Sequence, residues 1–147
     1  MELTQSENKL IREGFEAVLA DKSAATALFY KHLFEKNPEL RSMFIVDLDK
    51  QRMKLAQTLD VLVAQMDDSN TFLTTLNDLA LRHLAYGVRP EHYDLAGEAL
   101  QYMLAEMIGG KFTSQMAAAW ATLYDGIAEV MIDAAYPPSP MRGTGGF

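Results

Sequence analysis

Apolar residues recur along much of this chain with the 3.6-residue period of an α-helix. The clearest example lies within 70–93, where an apolar stripe occupies positions i, i+4, i+7 and i+8. These positions are held by Phe72, Leu76, Leu79 and Ala80. The next position of the stripe is His83, so a histidine stands where the pattern predicts a leucine. Gly87 and Pro90 follow and end this helix, because glycine adopts left-handed C-terminal conformations and proline cannot continue a helix.

Capping residues mark where several other helices begin. Thr4 and Glu7 have the spacing of a capping box, in which each side chain satisfies a free backbone N–H of the first turn. Asn37 and Pro38 read as an N-cap followed by proline at the first helical position. His32 is predicted to face solvent, since it lies off the apolar side of its helix.

No segment shows the two-residue alternation of a β-strand, and no repeat recurs at a fixed period. The sequence therefore predicts an all-α fold of six to eight helices. Residues 1–136 are predicted to form one domain, and the Pro/Gly-rich segment 137–147 is predicted to be a flexible tail.

Charge and composition exclude several classes of function. The net charge of −7 leaves no basic cluster for a phosphate backbone, so nucleic acid is not expected as a partner. The chain has no cysteine, which excludes disulfides, thiolate nucleophiles and thiolate metal sites. It also has no signal-like N-terminus and no apolar run of about 18 residues. We expect a cytoplasmic protein that does not enter membranes.

Three polar residues are predicted to point inward from three different helices. They are His83, Tyr30 and Gln51, and each has a purely structural alternative. The histidine can be a hydrogen-bonded core residue, the tyrosine can donate to a backbone carbonyl, and the glutamine can face water. Together, however, they suit a cavity with a metal on one side and hydrogen-bond donors on the other.

One histidine is too few for a zinc or copper site, which needs three or four protein ligands. A single axial imidazole is enough for haem iron, because the porphyrin supplies four nitrogens. His83 would then be neutral, with its other ring nitrogen donating to an acceptor such as the Leu79 carbonyl one turn earlier. Donors such as Tyr30 and Gln51 would stabilise the negative charge that a bound diatomic gas acquires.

Three segments of the chain resemble the globins, specifically bacterial single-domain globins and the haem domain of flavohaemoglobins. They are 28–44, 82–93 and 118–120 together with Tyr124, and the resemblance extends from about Thr4 to Met131. It implies a globin fold that encloses a haem pocket, with haem b (iron protoporphyrin IX) as the cofactor.

The resemblance also implies a role for individual residues. His83 matches the proximal iron ligand, Tyr30 the distal tyrosine and Gln51 the distal glutamine. Leu55 matches the distal leucine one turn beyond the glutamine. The aromatic positions are Phe44, matching the phenylalanine that packs on the porphyrin, and Tyr93, matching a proximal tyrosine. Spacing further suggests that Lys54 and Arg82 meet the haem propionates.

Two departures from flavohaemoglobins limit what the resemblance implies. Counting from the shared tryptophan, Ala135 stands where flavohaemoglobins have a glutamate on the proximal side, so the electron push from His83 should be weaker. No flavin and nicotinamide domain is recognised after residue 136, so sustained turnover is expected to need a separate reductase.

Three functions remain open from the sequence. The first is a haem protein that binds oxygen, nitric oxide or other diatomic gases and oxidises nitric oxide to nitrate with the help of a reductase. The second is a non-catalytic protein for oxygen storage, scavenging or sensing. The third is a haem-free module of globin-like shape. The expected oligomeric state is a monomer or weak homodimer.

Overall fold

The computed structural model of the protein describes residues 3–44 and 47–136, and the predicted tail at 137–147 lies outside these residues. Within them the chain forms α-helices and short 3-10 helices, and no strand. The α-helices are α1 (Gln5–Ala20), α2 (Lys22–Lys36), α3 (Leu48–Ala64), α4 (Ser69–Ala85), α5 (Pro90–Ile108) and α6 (Ser114–Ala135). The 3-10 helices are Pro38–Met43 and Gly109–Lys111. The prediction of an all-α fold is confirmed.

The capping box at the start of α1 is present as predicted. The Thr4 hydroxyl accepts from the Glu7 N–H at 3.0 Å, and the Glu7 carboxylate accepts from the Thr4 N–H at 2.9 Å. Asn37 differs from the prediction, because its side-chain amide donates to the Leu33 carbonyl at 3.3 Å and makes no bond to the following helix. The Leu40 N–H, which an N-cap side chain could have served, donates instead to the Asn37 backbone carbonyl at 3.0 Å, and the Asn37 side chain closes α2.

The predicted apolar stripe of α4 is buried, and this face packs on α6. α2 crosses α5 with the most extensive packing in the described structure, and α1 lies against α5 and α6. The largest fully buried side chains belong to these five helices. They include Ile11, Leu76, Met103, Leu104 and Trp120. Helices α1, α2, α4, α5 and α6 therefore share one continuous core.

α3 and α4 are joined by only 65–68, yet along their described lengths they do not pack extensively on one another. α3 packs against α2, whereas α4 packs against α6. Gln51 and Leu55 on α3 and His83 on α4 are each half-buried. The predicted site residues therefore lie on two successive helices that are not closely packed on one another.

The turn between α4 and α5 has the conformation that the sequence predicts. Gly87 has a φ of 86°, in the left-handed region that glycine tolerates best, and Pro90 is the first residue of α5. Among the described helices, none is both long enough and apolar enough to cross a membrane.

Gly97 provides a test of the contact between α5 and α6. A Cβ at this position would lie 2.9 Å from Cε2 and 3.1 Å from Cδ2 of the Tyr124 ring. We expect Gly97→Ala to destabilise the protein, because overpacking costs about 1–3 kcal/mol and exceeds the gain of up to about 1 kcal/mol in helix propensity. Urea denaturation measures this change in unfolding free energy.

The matched control is Gly110→Ala, since a Cβ there meets no atom within 4 Å. It should change the unfolding free energy by less than about 0.5 kcal/mol. Equal effects of the two substitutions would contradict the role assigned to Gly97.

Candidate functional site

His83 lies in the last turn of α4 and is half-buried. Its Nδ1 lies 2.7 Å from the Leu79 carbonyl oxygen. A carbonyl can only accept, so Nδ1 carries the proton and Nε2 keeps its lone pair. This confirms the hydrogen bond predicted from the sequence. Burial, the dominant effect, lowers the pKa of His83 despite the opposing bond to Leu79, so the ring is neutral near pH 7.

Val88, in the loop after His83, is hydrogen-bonded through both its N–H and its carbonyl. The Val88 N–H donates to the His83 carbonyl at 3.0 Å, and the Tyr136 hydroxyl donates to the Val88 carbonyl. Tyr136 directly follows the end of α6 and is 48 residues from Val88 in sequence. The residue after the end of α6 therefore anchors the loop that follows His83. Sequence reasoning missed Tyr136, and a lone tyrosine after an apolar helix gave no signal of its partner.

Tyr93, on α5, is buried next to the histidine. The centroids of its ring and the His83 ring are 6.4 Å apart, and the two rings are inclined by 29°. The backbone carbonyl of Tyr93 accepts from the Tyr124 hydroxyl at 2.7 Å. Burial is the main cause of the raised pKa of Tyr93, and the nearby Tyr136 adds to it. Helices α4, α5 and α6 thus meet around His83.

Tyr30 and Gln51 are brought together from α2 and α3. The Tyr30 side chain is buried, with a relative exposure of 6%, while Gln51 is half-buried in the first turn of α3. Burial raises the pKa of Tyr30 to about 12, and hydrogen bonding with the Gln51 side chain opposes that shift in part. The phenol therefore keeps its proton at neutral pH and is a hydrogen-bond donor.

Aromatic rings surround Tyr30 on several sides. The Phe29 ring packs edge-on at a centroid distance of 5.0 Å, and the Phe44 ring does so at 5.5 Å. Phe44 is half-buried at the end of its 3-10 helix, and Leu55 is half-buried one turn beyond Gln51. The Tyr30 hydroxyl is thus a polar group carried on an apolar wall.

The remaining predicted residues lie nearer the surface. Lys54 and Arg82 are both exposed, on α3 and α4 respectively. Arg82 is close enough to lower the pKa of His83 slightly by charge repulsion.

His32 was wrongly predicted to face solvent: it is half-buried, and its ring stacks on Tyr102 of α5 at 4.5 Å between centroids. Its position at the α2–α5 crossing explains this, since these helices pack closely.

The side chains around His83 fit a metal ion that is held mainly by a chelating cofactor and needs one further ligand from the protein. Within 3–44 and 47–136 there is no group of three or more His, Cys, Asp and Glu side chains that could hold a metal ion by themselves. His83 instead offers one neutral imidazole, and in the described structure its Nε2 makes no hydrogen bond. One such nitrogen is the protein ligand that haem iron requires.

Comparison with known proteins decides the family. The family model described as Globin matches residues 27–131, which is most of the chain. This chain belongs to the globin family. The predicted resemblance is therefore confirmed, and the protein is a haem-binding globin.

Relatives of this globin include bacterial and animal proteins. The flavohemoprotein of Rhizobium meliloti is 28% identical over 132 residues, covering 88% of this chain and 33% of that protein. The chain thus spans about a third of the length of the flavohemoproteins that it matches. The neuroglobin of Danio rerio is 27% identical over 143 residues, covering 88% of this chain and 90% of that protein.

Solved structures agree with this globin fold. An engineered carbene transferase, described as a candidate nitric oxide dioxygenase from Rhodothermus marinus, superimposes with a TM-score of 0.82 at 28% identity. The superposition covers 91% of this chain and 94% of that chain. A bacterial globin from Campylobacter jejuni superimposes with a TM-score of 0.77 at 23% identity, over 90% of this chain and 96% of the other.

The raised pKa of Tyr30 predicts how stability depends on pH. Tyrosines of the unfolded chain titrate near pH 10, so the folded protein holds this proton more tightly than the unfolded chain does. The stabilisation is complete below pH 10 and is lost as the pH rises through about 12. For Tyr30 alone, we expect a loss of roughly 1 kcal/mol between about pH 9 and about pH 11.

Urea denaturation at these two pH values measures the loss. Tyr30→Phe should lose less stability over the interval than the control Tyr86→Phe, because the Tyr86 side chain is 64% exposed. Identical losses in the two variants would contradict the burial argument for Tyr30.

Proposed function

We propose that this globin binds haem b through His83 and uses Tyr30 and Gln51 to hold oxygen and other diatomic gases. The observation that carries the proposal is the 2.7 Å contact between His83 Nδ1 and the Leu79 carbonyl. It directs the ring proton to Nδ1 and leaves Nε2 as the donor to iron. When bound, haem would supply a redox-active iron with one coordination position open to a diatomic gas.

His83 would act as a neutral anchor with a fixed orientation. The bond to Leu79 orients the ring, and such an outer bond also raises the basicity of the ligating nitrogen. A backbone carbonyl is a weaker acceptor than a carboxylate, and Ala135 offers no carboxylate at the end of α6. The electron push from the histidine should therefore be moderate. This favours gas binding over peroxidase-like bond cleavage.

Tyr30 would donate a hydrogen bond to the bound gas. Its hydroxyl is buried, and its pKa of about 12 keeps it protonated at any physiological pH. The Gln51 amide interacts with the same hydroxyl and can orient it or add a second donor. A charge-assisted bond in such an apolar setting contributes about 1.5–3 kcal/mol, equivalent to roughly ten- to a hundredfold slower gas escape.

Leu55 and Phe44 would supply apolar contacts to the porphyrin, with Tyr93 on the histidine side. All three lie beside the residues above and are at least half-buried. Lys54 and Arg82 are exposed cations on the two separated helices and would pair with the haem propionates. We also propose that the protein is located in the cytoplasm, as expected from the sequence.

The catalytic form of the proposal is nitric oxide dioxygenation with an external electron donor. Its support is the Tyr30 and Gln51 pair, together with the similarity to flavohemoproteins and to the Rhodothermus marinus protein. The residues of this chain would retain oxygen until nitric oxide arrives, and a separate reductase would restore the reduced iron. Oxygen and nitric oxide are thus the proposed substrates.

Non-catalytic oxygen storage, scavenging or sensing is the second candidate. It is favoured by the moderate histidine environment, in which Ala135 replaces a proximal carboxylate. One measurement separates the two functions: consumption of nitric oxide by the oxygenated protein when a chemical reductant is supplied. Rapid, repeated consumption supports the enzyme, whereas slow consumption in a protein that still binds oxygen supports storage.

We expect His83→Ala to abolish stable haem retention, because it removes the proposed protein ligand of the iron. The measurement is the absorbance ratio of the haem Soret band to the protein band after gel filtration. His32→Ala is the matched control, since it removes a half-buried histidine outside the site, and it should retain haem. Unchanged haem content and spectrum in His83→Ala would overturn the assignment.

Tyr30→Phe should retain haem but release oxygen roughly ten- to a hundredfold faster, because one charge-assisted hydrogen bond is lost. Gln51→Leu should change the same rate in the same direction. Stopped-flow displacement of oxygen from the reduced protein measures it. Gln57→Leu is the control, because this glutamine is exposed on the same helix, and its rate should match the unsubstituted protein.

A further inference from the structure

Arg41 holds Phe44 by two hydrogen bonds that run in opposite directions. It lies in the 3-10 helix Pro38–Met43, and its Nη1 donates to the Phe44 carbonyl at 3.0 Å. The Phe44 N–H in turn donates to the Arg41 carbonyl at 3.2 Å. Both backbone polar groups of Phe44 are therefore tied to one residue.

The same guanidinium also lies over an aromatic ring. Its Cζ is 5.7 Å from the centroid of the Phe34 ring, within the range of a cation–π interaction. Phe34 is the last apolar residue of α2 and lies one turn after Tyr30. Arg41 thus links the end of the 3-10 helix to the α2 side of the site.

Tyr30, Phe34 and Phe44 form a closed group in which every ring contacts the other two, and we call it the aromatic triad. The centroids of Phe34 and Phe44 are 5.3 Å apart, those of Tyr30 and Phe44 5.5 Å, and those of Tyr30 and Phe34 5.7 Å. A shift of either phenylalanine would therefore be transmitted to the tyrosine, because close-packed rings leave no free space.

We propose that Arg41 is a positioning residue that fixes the direction of the Tyr30 hydroxyl through the aromatic triad. The proposal rests on the proposed function, in which that hydroxyl donates to the bound gas. Arginine suits this role because its planar guanidinium can stack on the Phe34 ring while its edge donates to the Phe44 carbonyl. Lysine offers neither a flat face nor a rigid edge.

The test measures oxygen dissociation from the reduced, haem-loaded protein. Arg41→Met should accelerate oxygen release roughly three- to tenfold, a part of the effect expected for losing the Tyr30 hydrogen bond entirely. Arg41→Lys should lie between Arg41→Met and the unsubstituted protein. Lys31→Met is the control, since it removes the same charge from an exposed position on α2, and it should leave the rate unchanged.

A double substitution separates positioning from a general structural effect. In a Tyr30→Phe background, Arg41→Met should no longer change the rate, because the hydroxyl that it orients is absent. Haem dissociation to an acceptor protein should be equal in Arg41→Met and in the double variant, because both lose the same bond to the Phe44 carbonyl and both keep His83. If Arg41→Met does not fold, Arg41→Lys is compared in the two backgrounds instead.

Two results overturn the positioning role alone: an unchanged rate in Arg41→Met while Tyr30→Phe changes it, or an equal acceleration in both backgrounds. If Tyr30→Phe itself leaves oxygen release unchanged, the proposed donor role of Tyr30 fails, and the role of Arg41 fails with it. The failure of the positioning role is therefore distinguishable from the failure of the proposed function.

Discussion

The hydrogen bond between His83 Nδ1 and the Leu79 carbonyl is the interaction on which the site depends. It uses the Leu79 carbonyl one turn earlier in α4, and a carbonyl oxygen has a second lone pair that can accept the ring N–H. The contact therefore selects the tautomer of the imidazole without interrupting the helix. Because Gly87 allows the chain to turn immediately afterwards, the ring stays at the edge of the core and is not covered by a continuing helix.

The two sides of the site are built by different physical means. On the side of His83, the chain uses backbone hydrogen bonds, in which Val88 and Tyr93 offer carbonyls to Tyr136 and Tyr124. Around Tyr30, it uses aromatic packing, with the Gln51 side chain as a polar neighbour. Backbone bonds hold the loop after His83, whereas contacts between close-packed rings hold Tyr30. The first arrangement suits an anchor, and the second suits a donor that is kept in one direction.

The sequence predicted the helices because their apolar period and capping residues are local signals. The α4 stripe, the turn at Gly87 and the bond from His83 to Leu79 all lie within one or two helical turns. The sequence did not predict contacts that depend on how distant helices cross. The bond from Tyr136 to Val88 and the stacking of His32 on Tyr102 are of this kind. The proximity of Tyr30 and Gln51 was predicted by family resemblance, since periodicity alone left the glutamine free to face water.

The anchoring of the α4–α5 loop by Tyr136 has a consequence for biosynthesis. The chain is made from its N-terminus, so the helix that carries His83 leaves the ribosome well before Tyr136 does. Until then, the Val88 carbonyl lacks its partner and the loop is held from one end only. The nascent protein therefore has a stage at which α3 and α4 are complete while the loop after His83 still lacks its bond from Tyr136. That bond can form only once Tyr136 has left the ribosome.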